Sequence, residues 1–395
     1  MNDNGMLNLL VFSDLHMENS GSSQDTRLLT EDDEFSKSIL EKISELDVNL
    51  DYVVCSGDIS NKSSPVGFDV GWKFVKDVAD YSRVARENLI VVPGNHDHDS
   101  RLNNSHCPKY NLQFSVDDFP FPNKVDNTHF WAWNWAHKEY EEFNLISVNS
   151  SAFHGYGDEW KHGRVPNRTA DQIRDYMKSE AVRKKKFNLL VTHHHPFRMD
   201  YVDQEEDYEA IDGGEYLIEA VQNSRKGPWL IVHGHKHFPD IKYGPSRGAS
   251  RPVVFSAGSL SAKLYPKIKD RTTNQFYVLS VDLDATAKNG GVTGEFRTYE
   301  WTMTSGWRLS EGNSLPERGG FGSALKSMEI IEEVAKIFEN SSKRIAKDSE
   351  IKHLNSYLKH LMPEDLEVLV AEFKDEGYIA DISGNEFKEI GVSNG

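Results

Sequence analysis

The sequence is poor in cysteine, has no long apolar run and lacks any excess of positive charge. Its two cysteines, Cys55 in an apolar run and Cys107 in a polar stretch, are too few for a disulfide framework, and free thiols are favoured over a single bridge. No run approaches the roughly 20 apolar residues that cross a membrane, so we expect no membrane span. The first apolar run begins near the start without a basic region before it, which predicts no secretory signal and a cytoplasmic location.

The charge balance is acidic, with a formal net charge of −17 at pH 7. Nucleic acids are bound mainly by lysine and arginine side chains that neutralise phosphates, so a general nucleic-acid-binding surface is disfavoured. A small phosphorylated substrate is compatible with this balance, because bound metal ions can supply positive charge locally. The length of 395 residues fits one large α/β domain with a smaller appendage.

Short apolar runs rich in β-branched residues alternate with helical patterns along the first 310 residues. The runs are LNLLVFSD, DYVVCSGD, NLIVVPGN, FNLISVNS, FNLLVTHH, WLIVHGH, PVVFSAGS, QFYVLSVDL and VTGEFRTYEW. Continuous apolar runs of this length are typical of buried strands, and helices are predicted at 34–47, 68–86, 170–182 and 215–222. The alternation indicates an α/β domain, whose last strands lack intervening helices and are expected to be antiparallel additions.

The character of the sequence changes after Ser310. The stretch EGNSLPERGGFGS predicts a linker at 311–323 between a domain at 1–310 and a helical C-terminal domain at 324–395. Apolar residues at helical spacing predict two helices there, and Pro363 is expected to open a third, with acidic residues in its first turn. We expect this small helical appendage to pack on the larger domain, to form a homo-oligomer or to bind a protein partner.

Five short polar segments carry the residues suited to chemistry, and four of them directly follow an apolar strand. They are SDLH (Asp14, His16), SGDISN (Asp58, Asn61), PGNHD (Asn95, His96, Asp97), THHHP (His193, His194, His195) and HGHKH (His233, His235, His237). Each alone has an ordinary explanation as a turn or a chance pattern. Because α/β sheets place their sites at the carboxyl ends of strands, the five together predict a centre for two adjacent divalent metal ions.

This order of motifs, D-x-H, G-D, G-N-H-D, H and G-H-x-H, resembles that of the calcineurin-like metallophosphoesterase superfamily over roughly residues 7 to 310. The resemblance implies a two-sheet β-sandwich flanked by helices in four αββα layers, with a dinuclear metal centre at one edge. The GDISN and GNHD segments look closest to the cyclic-nucleotide and glycerophosphodiester phosphodiesterase branch. The protein phosphatase branch reads G-D-x-x-D-R-G, and Lys62 is a poor substitute for the bidentate arginine of that pattern.

The resemblance also implies a set of metal ligands. They are Asp14, His16 and His237 for the first ion, Asp58 as a bridge, and Asn95, His235 and one histidine of the triplet for the second ion. The family pattern favours His194, which stands two residues before Pro196, and His193 is the alternative because one residue of register would exchange them. Mixed nitrogen and oxygen ligands suit Mn, Fe, Zn or similar ions.

The same resemblance implies roles in catalysis. A hydroxide between the two ions would attack phosphorus in line. His96 would lie beside the phosphoryl group, where it would stabilise developing charge and help to protonate the leaving oxygen. Asn61 would orient the His96 imidazole, and Asp97 is either an alternative ligand or a support for the site.

The sequence therefore predicts a metal-dependent phosphoesterase that hydrolyses a phosphodiester or phosphomonoester, such as a cyclic nucleotide or another small phosphorylated substrate. One alternative is a metal-dependent nuclease acting on DNA or RNA, which the acidic balance disfavours. The other is a scaffold that recruits a partner through its helical tail. Scaffolds of this fold are expected to lose metal ligands, whereas every ligand type is present here.

Overall fold

The structure is a computed structural model that describes residues 5–18, 25–28, 33–102, 107–203, 206–246, 250–312, 314–339 and 343–393. The strands up to residue 256 are β1 (Met6–Phe12), β2 (Tyr52–Cys55), β3 (Leu89–Val91), β4 (Trp135–Glu139), β5 (Phe143–Val148), β6 (Phe187–Val191), β7 (Trp229–His233), β8 (Asp240–Tyr243) and β9 (Val253–Ser256). The later strands are β10 (Gln275–Asp282), β11 (Gly294–Thr302), β12 (Gly306–Leu309), β13 (Arg318–Phe321), β14 (Ile345–Lys347), β15 (Tyr378–Ser383) and β16 (Glu386–Val392).

The helices lie between and after these strands. They are α1 (Glu34–Ser44), α2 (Pro65–Tyr81), α3 (Tyr110–Ser115), α4 (Lys124–Trp133), α5 (Asn167–Lys178), α6 (Asp200–Asp203), α7 (Gly214–Gln222), α8 (Leu283–Asn289), α9 (Ser327–Glu339), α10 (Lys352–Leu358) and α11 (Pro363–Asp375). The four helices predicted between the strands are α1, α2, α5 and α7, each with bounds a few residues from the predicted ones. In the described part of the chain, no helix combines the length and the apolar character needed to cross a membrane.

Two mixed sheets form the larger domain. The first has the order β12-β11-β10-β1-β2-β3, with β13 also paired to β11, and β1, β2 and β3 run parallel. The second has the order β4-β5-β6-β7-β9-β8, in which β5, β6, β7 and β9 run parallel. The strands from β10 to β13 pair in antiparallel fashion, as predicted for the runs that form β10 and β11, whereas β12 and β13 were not predicted and α8 intervenes between β10 and β11.

Side chains of β1 alternate between two cores because the two sheets are stacked. Leu9 and Val11 pack between the sheets, with Leu189 and Leu230 of the second sheet. Leu10 points the other way, into a core that includes α1 and α2, while α5 and α7 cover the outer face of the second sheet. The predicted αββα layers are therefore confirmed.

Helix α2 comes close to the loops that follow β1 and β2, because two of its glycines leave room. A Cβ on Gly67 would lie 2.3 Å from the Met17 carbonyl oxygen, and one on Gly71 would lie 2.6 Å from Ile59. The helix begins where Ser64 Oγ accepts a hydrogen bond from the Gly67 amide (3.0 Å). This packing holds the two loops, which carry predicted site residues, against each other.

The prediction of a linker and of an all-helical C-terminal domain needs correction. Within 311–323, β13 pairs with β11, so this stretch extends the first sheet. Within 324–395, α9, α10 and α11 are present as expected, but β14, β16 and β15 form an antiparallel sheet beside them. A strand signal is present in β15 and β16, whose burial alternates and which enclose the turn at Gly384 and Asn385, but the helical pattern of the preceding residues led to an all-helical prediction.

Candidate metal centre

The five polar segments meet at one edge of the sandwich. They follow β1, β2, β3, β6 and β7, and the parallel pairing within each sheet brings the carboxyl ends of these strands together. Backbone hydrogen bonds join the segments, since the Asp14 amide donates to the Gly57 carbonyl (3.0 Å) and the Gly234 amide donates to the His193 carbonyl (3.0 Å). The motifs that are separate in the sequence therefore form a single cluster.

The first group of possible metal ligands consists of Asp14, His16 and His237. Nε2 of His16 lies 3.1 Å from Nε2 of His237 and 3.8 Å from Oδ1 of Asp14, and Nε2 of His237 lies 3.3 Å from the same oxygen. Asp14 is fully buried, and its Oδ1 has no hydrogen-bond partner among the described residues. A buried carboxylate oxygen that faces two imidazole nitrogens at these distances fits a divalent metal ion.

The second group consists of Asp58, His193 and His235, with Asn95 beside them, and His96 forms a further set with His16 and Asp58. Nε2 of His193 lies 3.2 Å from Oδ2 of Asp58 and 3.0 Å from Oδ1 of Asn95. Nδ1 of His235 lies 3.0 Å from the same Asn95 oxygen and 3.3 Å from Nε2 of His193. Oδ2 of Asp58 also lies 3.5 Å from Nε2 of His16, so one carboxylate stands between the two groups.

The structure brings His193 into the second group and leaves His194 outside it, so the geometry favours His193, the alternative ligand, over His194. Nδ1 of His193 lies 2.8 Å from the Ser56 carbonyl, which turns Nε2 toward the cluster. Nδ1 of His194 instead lies 2.9 Å from Ser150 Oγ, and the His194 ring packs 4.3 Å from that of His235. Because β6 ends before the triplet, strand alternation does not extend to these histidines, and the predicted register fails.

Much of the cluster has an unusual backbone conformation. Five of its residues have left-handed φ values, namely Asp14 (57°), His16 (53°), Asp58 (52°), His235 (76°) and His237 (52°). Residues other than glycine rarely adopt this region, although aspartate and histidine do so more readily than most, and such conformations often occur at functional sites. The surrounding packing therefore imposes these conformations in order to aim the side chains at the cluster.

Asn61 orients His96 through a hydrogen bond. The Asn61 amide nitrogen donates to the carboxylates of Glu18 and Asp25, the latter at 3.2 Å, and this turns Oδ1 of Asn61 toward Nδ1 of His96 at 2.6 Å. The His96 backbone amide donates to Oδ1 of Asp58 (2.7 Å), which fixes the imidazole beside the cluster. The sequence analysis missed Glu18 and Asp25, because they approach Asn61 only in the folded chain.

Asp97 joins two loops through hydrogen bonds and belongs to neither group, which favours the support role over the ligand role among the two that the sequence left open. Its carboxylate accepts hydrogen bonds from the Gly94 amide (2.8 Å), from the Ser60 amide (2.7 Å) and from the Ser60 hydroxyl (2.9 Å). Burial, together with the nearby Asp58 carboxylate, raises the pKa of Asp97 to about 6. These bonds join the loop after β2 to the loop after β3 and so set the distance between Asp58 and Asn95.

The buried charges of the cluster depend on each other. Burial alone would raise the pKa of Asp14, but His237 and His16 hold this pKa well below its usual range. Burial alone would lower the pKa of His193, but the Asp58 carboxylate outweighs burial and raises it to about 9. Metal ligation needs neutral imidazole, so bound cations would take over the positive charge that these buried carboxylates require.

Two acidic residues, Asp207 and Glu209, lie beside histidines of the polar segments, and no sequence pattern had indicated them. Asp207 Oδ2 lies 2.6 Å from Nε2 of His195, whose pKa burial lowers to about 4. Glu209 accepts a hydrogen bond from Lys236 (2.7 Å) and lies 3.6 Å from Nε2 of His235. Histidines that bind metal ions are often held by such partners on the opposite side of the ring.

The cluster opens into a large cavity of about 1410 Å³. Arg101, Trp160 and Lys161, which we call the Trp160 rim, line its edge. The Trp160 ring is 46% exposed, and it lies 5.5 Å from the Arg101 guanidinium and 5.7 Å from the Lys161 ammonium. The rim thus offers an aromatic face and positive charge within a chain that is acidic as a whole.

A family model for calcineurin-like phosphoesterases matches residues 7–239, which is more than half of the chain. The chain therefore belongs to the calcineurin-like phosphoesterase family, and its cluster contains residues able to bind metal ions. The match contains all five polar segments. No sequence among curated proteins matches this chain.

Several solved structures are similar in fold. Purple acid phosphatase PPD1 from yellow lupin (Lupinus luteus) seeds has a TM-score of 0.48 and 12% identity, with 79% of this chain and 53% of that chain covered. The NAD nucleotidase NadN of Haemophilus influenzae has a TM-score of 0.38 and 12% identity, with 94% and 60% covered. Vps29 of Chaetomium thermophilum has a TM-score of 0.30 and 9% identity, with 77% and 95% covered. The chain thus spans about half the length of the lupin enzyme, and likenesses this distant do not indicate a substrate.

Proposed function

We propose that the protein is a phosphodiesterase or phosphomonoesterase that uses two divalent metal ions to hydrolyse a small, nucleotide-like substrate. The position of Asp58 carries this proposal, because Oδ2 lies 3.5 Å from a histidine nitrogen of one group and 3.2 Å from one of the other. A carboxylate can hold two ions roughly 3.5–4 Å apart, whereas a neutral imidazole holds only one.

In this proposal the ligands divide between the two ions. Asp14, His16 and His237 would hold one ion, Asn95, His193 and His235 would hold the other, and Asp58 would be shared. The bound ions supply Lewis-acid activation of water and neutralise charge on the phosphoryl group. The left-handed loops and the Asp97 hydrogen bonds hold the ligands in place before a substrate arrives.

In this proposal His96 donates a proton to the leaving group. Oδ1 of Asn61 accepts a hydrogen bond from Nδ1–H of His96, which leaves Nε2 as the nitrogen available to a substrate. Burial lowers the pKa of His96 to about 3, so in this proposal the charge of a bound phosphate ester has to raise that pKa before Nε2 can donate a proton to the leaving oxygen. Such a group contributes typically about 10²–10⁴-fold to the rate.

The Trp160 rim supports a nucleotide-like substrate. Its ring can stack on a base, while Arg101 and Lys161 attract the phosphate. The GDISN and GNHD segments, which look closest to the cyclic-nucleotide phosphodiesterase branch, agree with this choice. We place the reaction in the cytoplasm, where the two free cysteines would stay reduced.

A hydrolysis assay tests the proposal. The protein is loaded with Mn²⁺, which suits nitrogen and oxygen ligands, and assayed on bis-p-nitrophenyl phosphate and on p-nitrophenyl phosphate. Asp58→Asn should lower turnover at least about 100-fold, since even residues that only support a metal ligand give 10–100-fold losses. Asp284→Asn is the matched control, because Asp284 is an exposed residue of α8, at the opposite edge of the sandwich.

Two outcomes would contradict the proposal. If the wild-type protein hydrolyses neither ester, it is not an esterase of this kind. If Asp58→Asn remains active, Asp58 does not bridge two ions. A panel of cyclic nucleotides, nucleotides, phosphodiesters and nucleic acids with Mn²⁺ then identifies the substrate class, and DNA cleavage with a steep salt dependence would favour the nuclease alternative.

A further inference from the structure

The C-terminal residues 327–392 have the order helix, strand, helix, helix, strand, strand. α9 leads to β14, α10 and α11 follow with only residues 359–362 between them, and the hairpin of β15 and β16 ends the unit. In its sheet, β16 lies between β14 and β15, and both pairings are antiparallel. Two helices joined by a short turn, with a third helix before them and a β-hairpin after them, form a winged helix-turn-helix arrangement.

This unit has a hydrophobic core of its own. Val334 of α9, Leu354 and Leu358 of α10, and Leu369 and Phe373 of α11 pack together and are at most 2% exposed. The core includes residues of all three helices, so α11 is held firmly and presents one side to solvent.

The charge of α11 argues against the usual role of such a helix. In helix-turn-helix proteins the second helix of the pair enters the major groove of DNA. Helix α11 has one basic residue, Lys374, and five acidic residues, which are Glu364, Asp365, Glu367, Glu372 and Asp375. This excess of negative charge would be repelled by phosphates.

The packing of the C-terminal unit on the larger domain also argues against DNA binding by α11. The Gly320 amide of β13 donates to the Leu361 carbonyl (3.2 Å), and a Cβ on Gly320 would lie only 2.2 Å from the Lys359 carbonyl oxygen. Met362 belongs to the core between the two sheets. The turn that leads into α11 therefore packs against the first sheet. Recognition helices contact bases with their N-terminal residues, so this packing obstructs the end of α11 that would have to enter DNA.

The solvent side of α11 combines negative charge with apolar residues. Glu364, Glu367, Val368 and Ala371 are exposed and follow the helical spacing of three and four residues, with Val370 beside them; Lys374 and Asp375 are exposed at the end of the same side and leave its net charge negative. Val368 is 44% exposed and Val370 is 39% exposed. We call Glu364, Glu367, Val368, Val370 and Ala371 the acidic face of α11.

We propose that the acidic face of α11 binds a protein partner through a basic amphipathic segment. Lys or Arg side chains of that segment would face Glu364 and Glu367, and its apolar side chains would cover Val368. A second copy of this chain fits less well, because the side carries more acidic than basic residues and two copies would bring like net charges together.

A titration of the full chain tests this proposal. The probe is a labelled amphipathic peptide of about 18 residues with Leu on one face and Lys on the other, and its counterpart carries Glu in place of Lys. Glu364→Lys/Glu367→Lys should weaken binding of the Lys peptide at least about tenfold. The matched control, Glu332→Lys/Glu339→Lys, makes the same change of charge on exposed residues of α9 and should change it less than about twofold.

Other results would overturn the proposal. Equal weakening by both pairs would mean general attraction to an acidic protein, and equal binding of the Glu peptide would remove the role of charge. Binding of duplex DNA at physiological salt, or a dimer that Val368→Ser dissociates, would assign the face to a different occupant. Phosphoester hydrolysis should stay unchanged in both pairs, so this test is independent of the proposed function.

Discussion

Replacing His193 by alanine is expected to remove one metal ion per chain, whereas His194→Ala should keep both. Nε2 of His193 lies within 3.0–3.3 Å of a donor atom of Asn95, Asp58 and His235, so the substitution removes a direct ligand. Loss of residues that only support a ligand weakens metal binding about 10–100-fold, so a direct ligand should cost at least about 100-fold. His194 packs against the ring of His235 at 4.3 Å and lies 2.9 Å from Ser150 Oγ, so its loss should weaken metal binding about tenfold.

The two variants control each other. Both side chains are 0% exposed, so both substitutions remove the same volume from a buried position, and we expect each to lower the free energy of unfolding by about 2–4 kcal/mol. Metal content is measured by mass spectrometry after dialysis, and the free energy of unfolding by urea titration. A chain that keeps two ions in His193→Ala but loses one in His194→Ala would refute the assignment.

Three further predictions concern the loops, the cavity and the C-terminal unit. Gly94→Ala should lower kcat at least about 100-fold, because the added Cβ would lie 2.1 Å from Oδ1 of Asp58; an unchanged kcat would contradict this. Trp160→Ala should raise KM about tenfold for a nucleotide and leave KM for a non-aromatic phosphodiester unchanged, and equal changes for both would exclude base stacking. Burial lowers the pKa of His360 to about 4, so only the unfolded chain takes up this proton between pH 6.5 and 4. The free energy of unfolding should therefore decrease as the pH is lowered from 6.5 to 4. The decrease should be smaller in His360→Gln than in His353→Gln, a control at an exposed position of α10, and equal slopes would refute the argument.

The sandwich and the cluster could be predicted because their signals are local. Each long strand is a continuous apolar run, and each polar segment stands where a strand ends, so sheet topology alone brings the segments together. The ligand types are also visible one by one in the sequence.

The remaining features depend on tertiary contacts that a single sequence does not contain. The choice between His193 and His194 depends on backbone conformation beyond the end of β6, where strand alternation no longer applies. Glu18, like other supporting acidic residues, lies in a loop without any pattern and meets its partner across a long stretch of chain. The sheet of the C-terminal unit consists of short strands, which helical periodicity nearby conceals.

The left-handed residues of the cluster have a consequence for local opening of the protein. At about 1–3 kcal/mol each, the strain in five such residues is comparable with the roughly 5–15 kcal/mol that separates a folded domain from its unfolded state. Local opening would therefore release strain in these loops, and bound metal ions would stabilise the closed conformation. In hydrogen exchange, chelation should speed exchange of the His16 and His237 amides while the amides of β1 and β10 stay protected.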